Sequence, residues 1–180
     1  MKRILVVIII FAAAASLPFL LPSAAADETW TLHTGLNFAP GLVYNRSWDP
    51  GYSGSALTIM LTRQSGNLII GAGAEAGYSY TGLNLLFPLQ AGLNLAGSEK
   101  LNLTAFAVLL PGLILSRPSP YFLFSAELAA RLSWAVTPGF SLSLSAGPRY
   151  TISPQYSTLV APLELIDLTI GFAAGFRMGN

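Results

Sequence analysis

Residues 166–178 alternate with almost no error. Ile166, Leu168, Ile170, Phe172, Ala174, Phe176 and Met178 fall on one side, and Asp167, Thr169, Gly171, Ala173, Gly175 and Arg177 on the other. Successive side chains of a strand point to opposite faces, so the pattern predicts one strand with an oily face and a small or charged face. Strands of soluble proteins run to about 5–6 residues. A tilted strand crossing a bilayer needs roughly 9–11, and this segment is long enough for that.

Seven further stretches alternate in the same way. Residues 30–44 set Trp30, Leu32, Leu36, Phe38, Leu42 and Tyr44 against Thr31, His33, Gly35 and Asn37. Residues 56–63 set Leu57, Ile59 and Leu61 against Thr58, Met60 and Thr62, and Gln64-Ser65-Gly66-Asn67 then predicts a tight hairpin. Residues 68–80 set Leu68, Ile70, Ala72, Tyr78 and Tyr80 against Gly71, Gly73, Glu75 and Gly77. Residues 84–95 set Leu85, Phe87, Leu89 and Leu93 against Asn84, Gln90, Gly92 and Asn94. Pro88 is a defect there, because proline cannot donate to a ladder. Residues 101–110 give the weakest pattern, since Phe106, Val108 and Leu110 blur the second face. Residues 121–136 set Phe122, Phe124, Leu128, Leu132 and Trp134 against Ser125, Glu127, Arg131 and Ser133. Residues 140–150 set Phe140, Leu142, Leu144 and Tyr150 against Ser141, Ser143, Ser145 and Arg149.

Short turns fall near 64–67, 96–100 and 137–139, and longer links near 45–54, 111–120 and 151–165. The link at 81–83 is short where this rhythm calls for a longer one. Outer-membrane barrels have short periplasmic turns and longer external loops, so about eight strands with this rhythm predict an all-β, antiparallel, up-and-down transmembrane β-barrel. A lipocalin-like barrel would turn the apolar face inward, and its outer face would need many Lys and Glu. Here the second face is Gly, Ser, Thr and Asn with isolated charges, which suits a narrow, packed interior. Leu32, Leu57, Leu85, Leu128, Leu142 and Phe172 are then expected to face lipid. Trp30, Trp134 and Phe140 would form the periplasmic aromatic band, with Tyr44, Tyr78, Tyr80, Tyr121 and Tyr150 in the external one.

The N-terminus adds a destination. Lys2 and Arg3, the apolar run 4–15 and Ser23-Ala24-Ala25-Ala26 read as a cleavable secretory signal peptide, residues 1–26, ahead of a barrel domain, 27–180. The alternative is an uncleaved inner-membrane helix, which the small-residue cleavage site disfavours. Without Lys2 and Arg3 the chain carries seven basic and eight acidic residues, too few and too scattered to suggest nucleic acid as a partner. Beyond the signal, no run of about 18 apolar residues offers a membrane helix. The chain has no Cys, so it has no lipid-attachment cysteine, disulfide or thiolate metal site. Neither a metal nor a cofactor is expected.

Six charges fall on the lumen face: Glu75, Glu127, Asp167, Arg131, Arg149 and Arg177. A buried charge without a partner is costly, so these groups should meet one another. A hairpin centred on Pro138 places Glu127 opposite Arg149, and a symmetric last loop places Arg149 opposite Asp167. The arginine fork can bridge two carboxylates, which predicts a Glu127–Arg149–Asp167 chain with Arg131 deeper on the same face. A polar plug that fixes strand register is favoured over a gate or a proton- or ligand-sensing site. His33, the single histidine, lacks an adjacent Ser/Asp pair or a His-x-Ser pattern. It reads as a satisfied lumen residue beside Arg177 and not as a catalytic one. Gly71-Ala72-Gly73 continues as strand, so it is not a phosphate loop.

These features resemble the small eight-stranded outer-membrane barrels, such as the transmembrane domain of outer-membrane protein A and the proteins X and W. The resemblance rests on topology and alternation over residues 27–180. It implies an ion-paired lumen, for which Glu127, Arg131, Arg149 and Asp167 match, and a terminal aromatic recognised by the assembly machinery. Phe176 stands four residues before the end, a departure from that pattern. The expectation is a non-enzymatic, porin-like outer-membrane protein of a Gram-negative-type envelope, among outer-membrane lipids. Cell-surface loops 45–54, 111–120 and 151–165 would meet any extracellular ligand. The alternatives are a narrow channel for small apolar molecules, suggested by Leu113-Ile114-Leu115 and Leu159-Val160-Ala161, and a lipid-modifying barrel enzyme.

Overall fold

A computed structural model describes residues 28–44, 47–48, 52–79, 82–115, 120–153 and 163–178. The expected signal peptide, residues 1–26, Tyr80, the Leu159-Val160-Ala161 run and most of the 151–165 link lie outside them. Among the described residues the strands are β1 (Glu28–Tyr44), β2 (Ser47–Trp48), β3 (Tyr52–Ser65), β4 (Leu68–Ser79), β5 (Gly82–Leu86), β6 (Leu89–Gly97), β7 (Leu101–Leu115), β8 (Tyr121–Thr137), β9 (Phe140–Ser153) and β10 (Leu163–Met178). All pair antiparallel with their neighbours, and β10 returns to pair with β1 over twelve register positions, which closes the sheet. β2 is a two-residue bridge against the end of β1. β5 and β6 are the halves of one stave, so the barrel has eight staves.

Pro88 divides that stave, as its missing N–H requires. The wall stays closed there because Gly73 N donates to Pro88 O (3.0 Å) and Phe87 N donates to Pro111 O (2.9 Å). The break therefore leaves no gap in the barrel.

Following cross-strand partners once around gives the stagger. From Gly41 the path runs through Asp167, Arg149, Glu127, Val108, Gln90, Gly71 and Thr62 to Thr31, ten residues from its start. A stagger of this kind tilts the strands about 35–45° from the axis and sets a bore that side chains can fill. At one end, the turn end, connections are tight. Ser65 pairs with Leu68 across Gly66 and Asn67, and Gly66 takes φ 57°, which glycine adopts without a Cβ clash. The opposite, loop end carries the longer links.

Those links are shorter than the hydropathy pattern suggests. β7 runs on to Leu115, so Leu113-Ile114-Leu115 is strand, with Ile114 fully buried. β9 runs to Ser153 and β10 begins at Leu163. Alternation continues past 110 on both faces, but an apolar inner face hides it.

The expected lipid-facing set lies on the outside. Leu57, Leu128 and Phe172 are 64%, 66% and 54% exposed, and Leu32, Leu85 and Leu142 share their face through cross-strand pairing. At the turn end, the Phe140 and Phe176 rings meet at 5.3 Å. Arg63 lies over Trp30 at 6.0 Å and pairs with Glu28. Tyr78 and Tyr150 are exposed toward the loop end. Tyr121 is a correction: it packs against the buried apolar cluster within the barrel, so it does not belong to the outer band.

Candidate functional site

The lumen has three layers. The middle one is built on Arg149: past the β8–β9 turn and the bulge between Ala135 and Thr137, Glu127 lies opposite it on β8, and Asp167 lies opposite it on β10. Arg149 Nε donates to Glu127 Oε2 at 2.8 Å. Its Nη1 crosses the lumen to Glu75 Oε1 at 2.9 Å, with Nη2 at 3.5 Å from Oε2. Glu75 is anchored on its far side by Asn37 Nδ2 (2.7 Å) and Thr58 Oγ1 (3.1 Å). Gly73 and Gly77 flank Glu75 on the inner face of β4, so no side chain beside it obstructs the long reach from β9. Each ion here is buried, and charge-assisted hydrogen bonds replace the water it gives up.

The expected chain therefore has a different third member. Arg149 bridges Glu127 and Glu75, whereas Asp167, its buried ladder neighbour, lines a cavity of about 60 Å³ beside Glu75 and Arg149. Ladder adjacency alone does not decide the partner, since Glu127 and Asp167 both stand opposite Arg149 and only Glu127 bonds it. A residue across a narrow bore can be better placed for an extended guanidinium. Arg131 hydrogen-bonds Gln90 Oε1 (3.4 Å) and lies 4.6 Å over the Phe106 ring. Arg177 is exposed at the turn end, opposite Thr31, and makes no ion pair with the other five charges.

The layer toward the loop end is apolar, contrary to a lumen of small polar groups. Leu86, Leu110, Ile114, Leu123 and Leu165 are buried together, with Val108 and Phe106 continuing the cluster down β7. Hydroxyls close its edges: Ser125 Oγ meets Thr151 Oγ1 at 2.7 Å, and Ser153 Oγ donates to Phe122 O at 2.7 Å. The blurred alternation at Phe106, Val108 and Leu110 was the visible trace of this cap. It marks a strand that is apolar on both sides, facing lipid with one and the cap with the other.

The layer at the turn end is polar and hollow. His33 Nε2 lies 3.1 Å from Thr62 Oγ1, which itself donates to Thr31 O (3.3 Å). His33 thus holds a hydroxyl and not a carboxylate, and Gly175 of β10 faces it across the seam. Around it a recess of about 170 Å³ is lined by Thr62, Asn94, Thr104, Arg131, Ser133 and Arg177, among others. Among the described residues no cluster of His, Asp and Glu is arranged to hold a metal ion.

No protein-family model matches the chain, and no curated protein matches it in sequence. Solved structures do. Neisserial surface protein A is 15% identical with a TM-score of 0.51, over 84% of this chain and 97% of that one. Ail, the attachment invasion locus protein of Yersinia pestis, is 13% identical with a TM-score of 0.48, over 84% and 97%. The outer membrane protein AlkL, solved in lipid bilayers, is 13% identical with a TM-score of 0.45, over 89% and 96%. The first of these carries the conclusion: this chain has the fold of the small eight-stranded outer-membrane β-barrels.

Proposed function

We propose that the protein is an integral outer-membrane barrel with a closed lumen, acting without enzymatic chemistry as a structural or surface-recognition protein through its external loops. The observation that carries this reading is the Glu127–Arg149–Glu75 bridge spanning the bore beneath the apolar cap of Leu110, Ile114 and Leu123. An ion would have to part the bridge and then cross a dewetted layer. The continuous outward band of Leu, Ile and Phe supports a lipid environment, because a water-facing barrel would place charges there. His33 bonded to a threonine hydroxyl lacks the carboxylate partner that activates a base, which supports a non-enzymatic reading.

Full-length mature barrel refolded into planar bilayers tests the proposal. It should stay electrically silent, migrate in a heat-modifiable way and require detergent for extraction. Stable ohmic steps would refute the closed lumen, and soluble recovery without detergent would refute the membrane assignment. A second reading, passage of small apolar molecules, is favoured by Leu86, Ile114, Leu123 and Leu165 around the 60 Å³ cavity near the loop end. That reading requires flux of a fluorescent apolar probe into barrel-containing vesicles, and its rate should rise on Leu110→Ala. The closed reading expects no flux in either case.

A further inference from the structure

Arg131 and Arg149 have opposite circumstances. Arg149 is engaged by two carboxylates, and its partner Glu127 is the acid that would otherwise serve Arg131. Arg131 has no carboxylate within ion-pairing distance among the described residues. It makes one long hydrogen bond, to Gln90, and rests on the Phe106 face. A guanidinium offers five N–H donors in a planar fork that matches the oxygens of phosphate or carboxylate. Arg131 lines the recess at the turn end, and on its other side the smaller cavity that it shares with Gln90, Phe106 and Glu127.

The recess is built to the same sense. Asn94 accepts from Thr104 (2.9 Å), which leaves the Asn94 amide N–H groups for another acceptor. Ser133 adds a hydroxyl, and Arg177 and Lys100 stand at the mouth, against Glu99 as its one lining carboxylate. We propose that this recess binds a small oxyanion, a phosphate or carboxylate group, with Arg131 as its principal ligand. The anion enters from the turn end, as a free solute or as a phospholipid headgroup at the bilayer rim. Both sources present the same oxygens to the fork.

The full barrel in phosphate-free octyl glucoside micelles serves as the probe, and the experiment is independent of whether the lumen conducts. Inorganic phosphate is titrated at constant ionic strength while the Arg131 Nε–H and the Thr104 and Ser133 amides are followed by NMR. A parallel arm replaces free phosphate with phosphatidylglycerol added to the micelles. Saturable shifts confined to the recess are expected in at least one arm, and the responding arm identifies the source. Arg131→Gln should weaken binding about 10-fold or more, as loss of a hydrogen bond from a charged group does, with partial recovery in Arg131→Lys. Arg177→Gln, at the exposed mouth, should weaken it only about 2-fold. Should Arg131→Gln fail to refold, Ser133→Asp places a negative charge in the recess and must abolish the shifts. Absence of saturation in both arms, or saturation unchanged by Arg131→Gln or Ser133→Asp, would overturn the proposal.

Discussion

Replacing Arg149 with methionine should be among the most damaging single changes in the barrel. The residue is 8% exposed, and its guanidinium holds Glu127 at 2.8 Å and Glu75 at 2.9 Å. Its loss affects the two acids unequally. Glu75 keeps Asn37 and Thr58, so part of its charge remains hydrogen-bonded. Glu127 loses its ion-pair partner, and the Arg131 guanidinium is held away by Gln90 and Phe106. Removing one partner of a buried pair typically costs about 3–5 kcal/mol, because the remaining charge stays desolvated. Arg149→Met is therefore expected at that level, whereas the combined Glu127→Gln/Arg149→Met change should recover about 1–2 kcal/mol of it, since a neutral amide is cheaper to bury. Urea unfolding of the barrel in lipid vesicles, followed by tryptophan fluorescence, measures each variant. Double-mutant cycles then separate the pairs. Glu75–Arg149 and Glu127–Arg149 should each couple by about 1 kcal/mol or more, and Asp167–Arg149 by less. A cycle in which Asp167 couples more strongly than Glu75 would refute the cross-lumen bridge. So would an Arg149→Met barrel as stable as the parent.

Leu128→Arg, on the outer face near mid-strand, should destabilise the barrel in bilayers by about 2–4 kcal/mol. An effect near zero would mean that this face does not meet lipid. Ile114→Ala, in the apolar cap, removes three buried carbons and should cost about 2–5 kcal/mol by the same unfolding assay. A negligible loss would show that the cap is not packed. Gly66→Ala, at a left-handed turn position, should cost about 1 kcal/mol and slow refolding. Gly92→Val should do worse, because its first carbon would lie 2.8 Å from both Ala105 O and Phe106 Cβ. Equal refolding of these two variants would contradict the close β6–β7 approach.

Much of the wall is legible in the sequence. Alternation is a local property, dictated by the geometry of two consecutive residues, so the outward placement of Leu57, Leu128 and Phe172 follows from the chain alone. Tight turns propagate register outward, and the pairing centred on Pro138 that sets Glu127 against Arg149 is reached here through a bulge between Ala135 and Thr137. What lies across the lumen has no such local origin. Glu75 and Arg149 meet because closure with a stagger of ten residues brings β4 and β9 face to face at one height. No reading of neighbouring strands contains that relation. The apolar cap has the same cause, since Leu86, Leu123 and Leu165 lie on staves that are not neighbours. There too a residue's surroundings come from strands that touch it only after the barrel closes. The sequence alone set which face each side chain takes. Closure decided what that face meets, because the bore is narrow enough for side chains from opposite walls to touch.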